Sequence, residues 1–492
     1  MHALFKHQPC WYHYVVLCVL ALVIRGMFFG FYVQHEERYR QPDTMDYHLS
    51  AWSLKQGLGL RYLDRRPIFW RTPAYPLFLS YFFNAAQRNP HFSLHTVTHK
   101  KILWVQIALC SCLPVLAGLL ANVLTGSPPI VWATAIFSVF HTGYVLSSMY
   151  LLTDGIAALL LILFLICLFC VVQFPGDIKI AAFECTNKQQ YLVLLVAALA
   201  LSAYTWMRPM GQFVSLLAFF ILLIGAGKTW RASCARASFF LFIFIITIMP
   251  WFVRNYRWTG QVFFCPLFGL YLNVFNAPKI LARTANIPLE KAHAHMVSLA
   301  NKVVNDEHRR YLCERLPIVI CTENLCFGTA WSVIKGNLGY FAYDWTVEVL
   351  KTTFDLYASQ LVALANNCFS WDPLVEYLPE KLYDCVYGKP MPLLFRLLAW
   401  LEALLYVVLW AGIFGGMWCF LVRPLFYGNM QEIFSVYGYL WIKCGLFIGM
   451  VVGQSGGFGY ARLRLPIELL IFILAAVFWK WYFESRQQVL AR

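Results

Sequence analysis

Near its start the chain carries two carboxylates three positions apart, in Pro42-Asp43-Thr44-Met45-Asp46-Tyr47, just ahead of His48-Leu49-Ser50-Ala51-Trp52-Ser53-Leu54, which reads as a short helix. Helical residues three apart are surface neighbours, so Asp43 and Asp46 can act together on one hydroxyl; equally, Asp43 can do no more than cap the helix. Further along, Arg71, Arg208, Arg254, Arg462 and Arg464 supply guanidinium groups, whose planar fork fits phosphate oxygens. Arg462 and Arg464 are two apart and point the same way in an extended segment, with Pro466 where the first turn of a helix tolerates it. Plainer roles exist for each: interfacial anchoring for Arg462 and Arg464, and for Arg254 the favourable end of a helix dipole. Asp154 follows Thr153 where two apolar runs meet, and either residue can cap the second run. The chemistry on offer is a base together with cations that hold an anion.

Lipid sets the elements that must position these groups. Of 492 residues, 60% are apolar or aromatic and 13% charged, the latter about half the ~25% of a soluble domain. Such a composition excludes a soluble enzyme, a disordered chain, a disulfide-rich miniprotein and a coiled coil. A hydrocarbon core of about 30 Å takes about 20 apolar residues per helix, and about ten windows fit. They are Trp11 to Val33, Ile102 to Leu124, Ile130 to Met149, Gly155 to Gln173, Tyr191 to Met207, Gly211 to Gly225, Phe239 to Val253, Leu397 to Val422, Ile433 to Gly453 and Leu465 to Trp481. The expected class is an all-α polytopic membrane protein with about ten or more transmembrane helices. The first window follows a short basic leader and has no small-residue cleavage site, so it is expected to remain as an anchor.

The chain then divides into a first anchor (1–33), a polar first loop (34–100), a transmembrane bundle (101–255), a second long loop (256–395) and C-terminal transmembrane helices (396–492). Both loops follow an odd-numbered span and so share one face. Short loops on the other face hold Lys179, Lys188, Lys228, Arg231 and Arg236, and the tail holds Arg486 and Arg492, which marks that face as cytoplasmic. The long loops are then periplasmic or luminal. A formal charge of +15 is accounted for by orientation and does not call for nucleic acid. Arg61, Arg65, Arg66, Arg71, Arg208, Arg254, Arg257, Arg462 and Arg464 break the positive-inside pattern, all on the outer face, and point to an anionic ligand there.

The second loop reads as a compact helical cap, with helices such as Leu289 to Asn301 and Thr346 to Tyr357. Its histidines, including His293, His295 and His308, read as surface or packing residues. Of the sixteen cysteines, Cys265, Cys313, Cys321, Cys326, Cys368 and Cys385 lie on the outer face, where an oxidising compartment would allow disulfides; no pair has zinc-site spacing. Within the spans, Glu402 and Lys443 are expected to form an ion pair, and Arg25 is placed to reach a lipid phosphate.

Several motifs resemble one known group of enzymes. Asp43 with Tyr47 four residues on, a small-residue helix, Gly57-Leu58-Gly59, and Arg71-Thr72-Pro73-Ala74-Tyr75-Pro76 are followed in order by Tyr150-Leu151-Leu152-Thr153-Asp154, Met207-Arg208-Pro209, Pro250-Trp251-Phe252-Val253-Arg254-Asn255 and Tyr460-Ala461-Arg462-Leu463-Arg464-Leu465-Pro466. This series is similar to the GT-C glycosyltransferases, and within them to the bacterial branch of protein O-mannosyltransferases and the lipid A aminoarabinose transferase (glycosyltransferase families 39 and 83). Ala74 departs from the glycine common in that run.

The resemblance implies a GT-C fold with a small helical cap, in a bacterial inner membrane with the site facing the periplasm. It implies an inverting transfer of a sugar from a polyprenyl-phosphate carrier to a hydroxyl on a glycolipid, such as lipid A core in the lipopolysaccharide of the cell envelope, or on a protein. Asp43 would be the base, with Asp46 in reserve; Tyr47, Arg71, Asp154, Arg208, Arg254, Arg462 and Arg464 would bind substrate. No cofactor is certain, and a divalent metal near Asp154 is possible because members differ on metal dependence. Because phosphate leaves without protonation, one base suffices where a glycosidase needs two carboxyl groups. A transporter or flippase of a lipid-linked saccharide is the alternative, though it would place polar breaks near the midplane; a non-catalytic assembly factor on the same scaffold is a third reading.

Overall fold

In hydrocarbon an apolar chain satisfies its own peptide groups by coiling into helices, and the computed structural model is helical throughout. It describes residues 7–32, 43–61, 67–83, 96–172, 187–225, 229–266, 268–304, 318–357, 393–433, 435–453 and 461–490. Among them the only β pairing is one isolated bridge between Arg61 and Pro67.

Helix α1 (Trp11–Tyr32) is followed by two short helices of the first loop, α2 (Thr44–Lys55) and α3 (Ala74–Ser80). The bundle comprises α4 (Thr96–Cys110), α5 (Leu113–Thr125), α6 (Pro128–Phe140), α7 (Thr142–Ser147), α8 (Asp154–Val171), α9 (Asn187–Met207), α10 (Gly211–Gly225) and α11 (Trp230–Thr259). The cap region holds α12 (Phe268–Tyr271), a π-helical turn (Leu272–Asn276), α13 (Ala277–Thr284), α14 (Leu289–Val304), α15 (Ile318–Ile334) and α16 (Leu338–Phe354). The chain closes with α17 (Leu393–Met417), a second π turn (Trp418–Val422), α18 (Arg423–Phe426), α19 (Met430–Ile433), α20 (Val436–Gly453), α21 (Ala461–Arg464), a 3₁₀ turn (Leu465–Ile467) and α22 (Glu468–Leu490).

Each of the ten windows overlaps helix among the described residues, seven stretches of which are long and apolar enough to cross a membrane. Two others, α6 and α10, are apolar but shorter. The window Ile130 to Met149 is not one helix: His141 takes an extended conformation (φ −62°, ψ 118°) and its ring accepts the Tyr144 amide, ending α6 and starting α7. The main core is made by α5, α6, α8, α9, α10 and α11 with α17, α20 and α22, through residues such as Leu120, Ile162, Leu201, Phe240, Phe447 and Leu470. The cap has its own small cluster of Leu272, Ala277, Ile280, Met296, Ala330 and Ile334.

The expected Glu402–Lys443 pair is replaced by separate partners. Glu402 accepts the Tyr357 amide at 2.8 Å, and the Lys443 ammonium lies 5.1 Å from the centre of the Tyr439 ring. Arg25 is fully buried and turned into the bundle, where it donates to the carbonyls of Ala21 (3.3 Å) and Ser138 (3.5 Å). Cys313, Cys368, Cys385 and His308 lie outside the described residues, as does the side chain of Cys321.

Candidate active site

Five segments far apart in sequence meet at one end of the bundle, each tied by bonds that short motifs can make. The start of α2 is fastened to the turn before α8 by Thr44 Oγ1, which donates to the Leu151 carbonyl at 3.2 Å. That turn is held by Gln106 of α4: its amide donates to the carbonyls of Ser147, Ser148 and Tyr150, and its carbonyl oxygen accepts Tyr75 Oη at 3.2 Å. Gly155, beside Asp154, permits the close approach, since a Cβ there would stand 2.9 Å from Cys110 Sγ and 3.1 Å from the Ser147 carbonyl oxygen. Thr72 donates to the Met207 carbonyl at 2.9 Å, bringing Arg71 beside Arg208 at the end of α9. After α2 the chain turns back through Gly57 and Gly59, both at positive φ (74° and 76°), where a side chain would strain the backbone.

Within this frame Asp43 sits at the N-cap position of α2 but makes no side-chain capping bond. Its Oδ1 instead accepts Arg71 Nη2 at 2.6 Å, and its Oδ2 is 3.9 Å from Arg462 Nη2. Asp46 Oδ2 accepts Arg71 Nε at 3.1 Å and Nη2 at 2.9 Å. The Arg71 guanidinium lies over the buried Tyr47 ring, 5.2 Å from its centre. Burial works against charge on Arg71, but the neighbouring Asp43 and Asp46 carboxylates outweigh it and raise its pKa above the ordinary value.

Asp154 is the first residue of α8, and Thr153 at the N-cap position makes no side-chain capping bond. The carboxylate is only 1% exposed; Oδ1 accepts Arg208 Nη2 and lies 3.3 Å from Arg462 Nε, whereas Oδ2 has no hydrogen-bond partner. Arg462 therefore links two acid–arginine groups, Asp43–Arg71–Asp46 and Asp154–Arg208. Three carboxylates face three guanidiniums, so the cluster is close to neutral before an anion arrives.

Arg254 and Arg464 lie apart from this cluster. Arg254 donates to the Leu60 carbonyl at 3.1 Å and to Asn255 Oδ1 at 2.9 Å, with its guanidinium over Phe69 and Trp251. It holds the turn after α2. Arg464 is fully buried and bonded to Glu468 and to carbonyls of the segment after α16 and its last turn.

Nothing in the sequence singles out Tyr271, at the end of α12 where the π turn begins. Asn255 of α11 donates to the carbonyls of Phe263 and Phe264, and Cys265 Sγ donates to the Trp70 carbonyl at 3.2 Å, so the chain leading into α12 lies alongside Arg71. Tyr271 faces Asp43, Arg71 and Tyr47; burial first, and then the Asp43 carboxylate, push its hydroxyl up to about 12, so it stays protonated and can donate. One aromatic in an aromatic-rich stretch leaves no local signal, although π turns often mark functional positions.

A divalent metal does not fit the residues described. Among them no three His, Cys, Asp or Glu side chains come together as ligands, and the site carboxylates are already paired with arginines, whose positive charge opposes a cation.

No protein-family model matches the chain, and no curated protein matches it. Among solved structures, it is similar to the archaeal oligosaccharyltransferase AglB from Archaeoglobus fulgidus, described in complex with an inhibitory peptide and a dolichol-phosphate, with a TM-score of 0.50 and 13% identity. The match covers 98% of this chain and 52% of that one, so the chain spans about half the length of this neighbour. The fold is of the GT-C type. In this bundle the polar cluster sits at helix ends beside the cap region. A carboxylate oxygen next to guanidiniums can take a proton from a hydroxyl while the cations receive a departing anion.

Proposed function

We propose that the protein is an integral-membrane glycosyltransferase that moves a sugar from a polyprenyl-phosphate carrier to an acceptor hydroxyl on a glycolipid or a protein. The observation that carries this reading is Arg462 standing between Asp43 and Asp154, 3.9 Å from one and 3.3 Å from the other. Asp43 takes the proton of the acceptor hydroxyl; the acceptor oxygen forms its bond to the anomeric carbon as the bond from that carbon to the phosphate oxygen breaks. The carrier phosphate keeps the electron pair and one more negative charge, which Arg462, Arg208 and Arg71 receive. A single displacement of this kind inverts the anomeric centre.

Arg462 suits the donor because its contacts are the longest in the cluster and its side chain is 28% exposed, so it can turn to a phosphate while Arg208 keeps Asp154 paired. Tyr47 supports Arg71 from beneath, and Asp46 holds the second edge of the same guanidinium. Tyr271 approaches Asp43 from the cap side and serves the acceptor. Arg254 shapes the first loop and acts on substrate only through it. The solved neighbour is described with a dolichol-phosphate and an inhibitory peptide, and the first of these is a lipid phosphate of the kind proposed here for the donor. The charge pattern of the short loops supports an orientation with this cluster on the outer face, which in the bacterial inner membrane implied by the family resemblance is the periplasmic side. The polar groups gather at the helix ends and not at midplane breaks, which favours transfer over transport of a lipid-linked saccharide.

Mass spectrometry of lipids and glycans from cells with and without the gene tests this. Loss of the gene is expected to build up a polyprenyl-phosphate sugar and remove one glycosylated product; unchanged lipid and glycan profiles would exclude the assignment.

A further inference from the structure

Arg464 lies two residues beyond Arg462 in α21, a helix of four residues. A single turn is too short to hold itself, because helix nucleation costs more than one turn of hydrogen bonds returns. Its position must come from outside ties, and Arg464 supplies them. Nε is 2.5 Å from Glu468 Oε1; Nη1 donates to the carbonyls of Thr352, at 2.7 Å, and Thr353; Nη2 donates to the Asp355 carbonyl at 3.1 Å. The Thr352 and Thr353 carbonyls belong to the last turn of α16, which lacks intrahelical donors and carries the negative end of the helix dipole. The guanidinium is fully buried, with the Tyr406 and Tyr357 ring centres 4.5 and 5.6 Å away. Burial opposes its charge, yet Glu468 outweighs that and raises its pKa, so the tie is cationic at every physiological pH.

Nearer its start, α16 is tied to α13. Lys279 Nζ is 2.7 Å from Glu348 Oε1, and Arg283 bonds Asp344, with both acids almost wholly buried. Through α13 and the π turn, that contact leads to Tyr271. Helix α16 is thus a bar fixed near both residues that flank Asp43, Tyr271 on one side and Arg462 on the other.

We propose that Arg464 is a positioning residue: by gripping the C-terminal carbonyls of the cap helix α16 it holds α21 so that Arg462 spans Asp154 and Asp43. The proposal rests on reading that cluster as the active site. Its signature is that Arg464 acts on transfer only through Arg462.

A double-mutant cycle reads this out. Full-length protein in detergent is mixed with membranes from a deletion strain, which hold the unreacted donor and acceptor, and initial product formation is followed by mass spectrometry. Arg464→Lys keeps the charge but loses the fork; it is expected to lower the rate about tenfold, Arg462→Ala about 100-fold, and the double variant again about 100-fold, because residues acting as one unit are non-additive. A double variant about 1,000-fold down would overturn the proposal, since a merely structural loss of folded enzyme multiplies with any other defect. Where Arg464→Lys does not yield folded protein, Glu468→Gln replaces it in the same cycle. Independently of activity, amide exchange in Ala461 to Arg464 is expected to speed up about tenfold or more when the grip is weakened, and unchanged exchange would also overturn it. An inactive wild type with faster exchange in the variant would remove the transferase reading and leave the grip standing.

Discussion

Arg462 Nε stands 3.3 Å from Asp154 Oδ1, joining α21 to the first turn of α8. The other edge of the same guanidinium faces Asp43, so one side chain connects a buried acid, whose Oδ2 is left without a hydrogen-bond partner, with a partly exposed one. On the proposed reading that asymmetry divides the labour: buried Asp154 fixes the arginines, while the more exposed Asp43 meets the hydroxyl.

Asp43→Asn is expected to lower transfer by about 10²–10⁴-fold, the usual worth of a general base, with expression and melting temperature close to wild type. Asp46→Asn is expected to cost less, about tenfold, because Asp46 acts through Arg71. Initial rates of the two purified variants check the order, and equal losses would reject it.

Arg462→Ala and Arg254→Ala separate substrate binding from loop support. The first is expected to weaken donor use by about 10–100-fold at unchanged melting temperature, as loss of a charge-assisted contact does. The second removes the bond to the Leu60 carbonyl and the stacking on Trp251, and is expected to lower the melting temperature by a few degrees with donor KM within about twofold. Donor titrations and thermal melts distinguish them.

Much of this was legible in the sequence, for physical reasons that can be named. Lipid forces helices wherever about 20 apolar residues run together, so each of the seven membrane-length stretches among the described residues coincides with one of the windows, and the motif series placed Asp43, Arg71, Asp154, Arg208 and Arg462 in one cluster. The division among the arginines was not legible: Arg462 and Arg464 are two apart, but α21 is helical, so they point to different sides, one to Asp154 and the other to the end of α16. Arg254 follows the same logic, since an arginine on the last turns of α11 reaches whatever loop packs there. Depth alone pairs Glu402 with Lys443, whereas the carboxylate accepts the Tyr357 amide from a segment distant in sequence. Tyr271 could not be found because a π turn leaves no pattern in composition.

Tyr271→Phe keeps the ring and its stacking on Phe275 and removes only the hydroxyl. It is expected to raise acceptor KM by about tenfold and leave donor KM unchanged, the size of one lost hydrogen bond in a desolvated site. Equal changes in both constants would place the hydroxyl on the donor instead.

Chelation follows from the pairing of acids with arginines. Treatment with EDTA is expected to leave the initial rate within about twofold, and added Mg²⁺ or Mn²⁺ to restore nothing, because arginines supply the charge a metal would bring. A loss of activity reversed by a divalent ion would place a metal in the site.

The most direct measurement is complementation of a gene-deletion strain with wild type or Asp43→Asn at matched protein levels, followed by lipid and glycan mass spectrometry. The wild type is expected to clear the accumulated polyprenyl-phosphate sugar and restore the missing product, and Asp43→Asn to do neither. Full restoration by Asp43→Asn would contradict the assignment of Asp43 as the base.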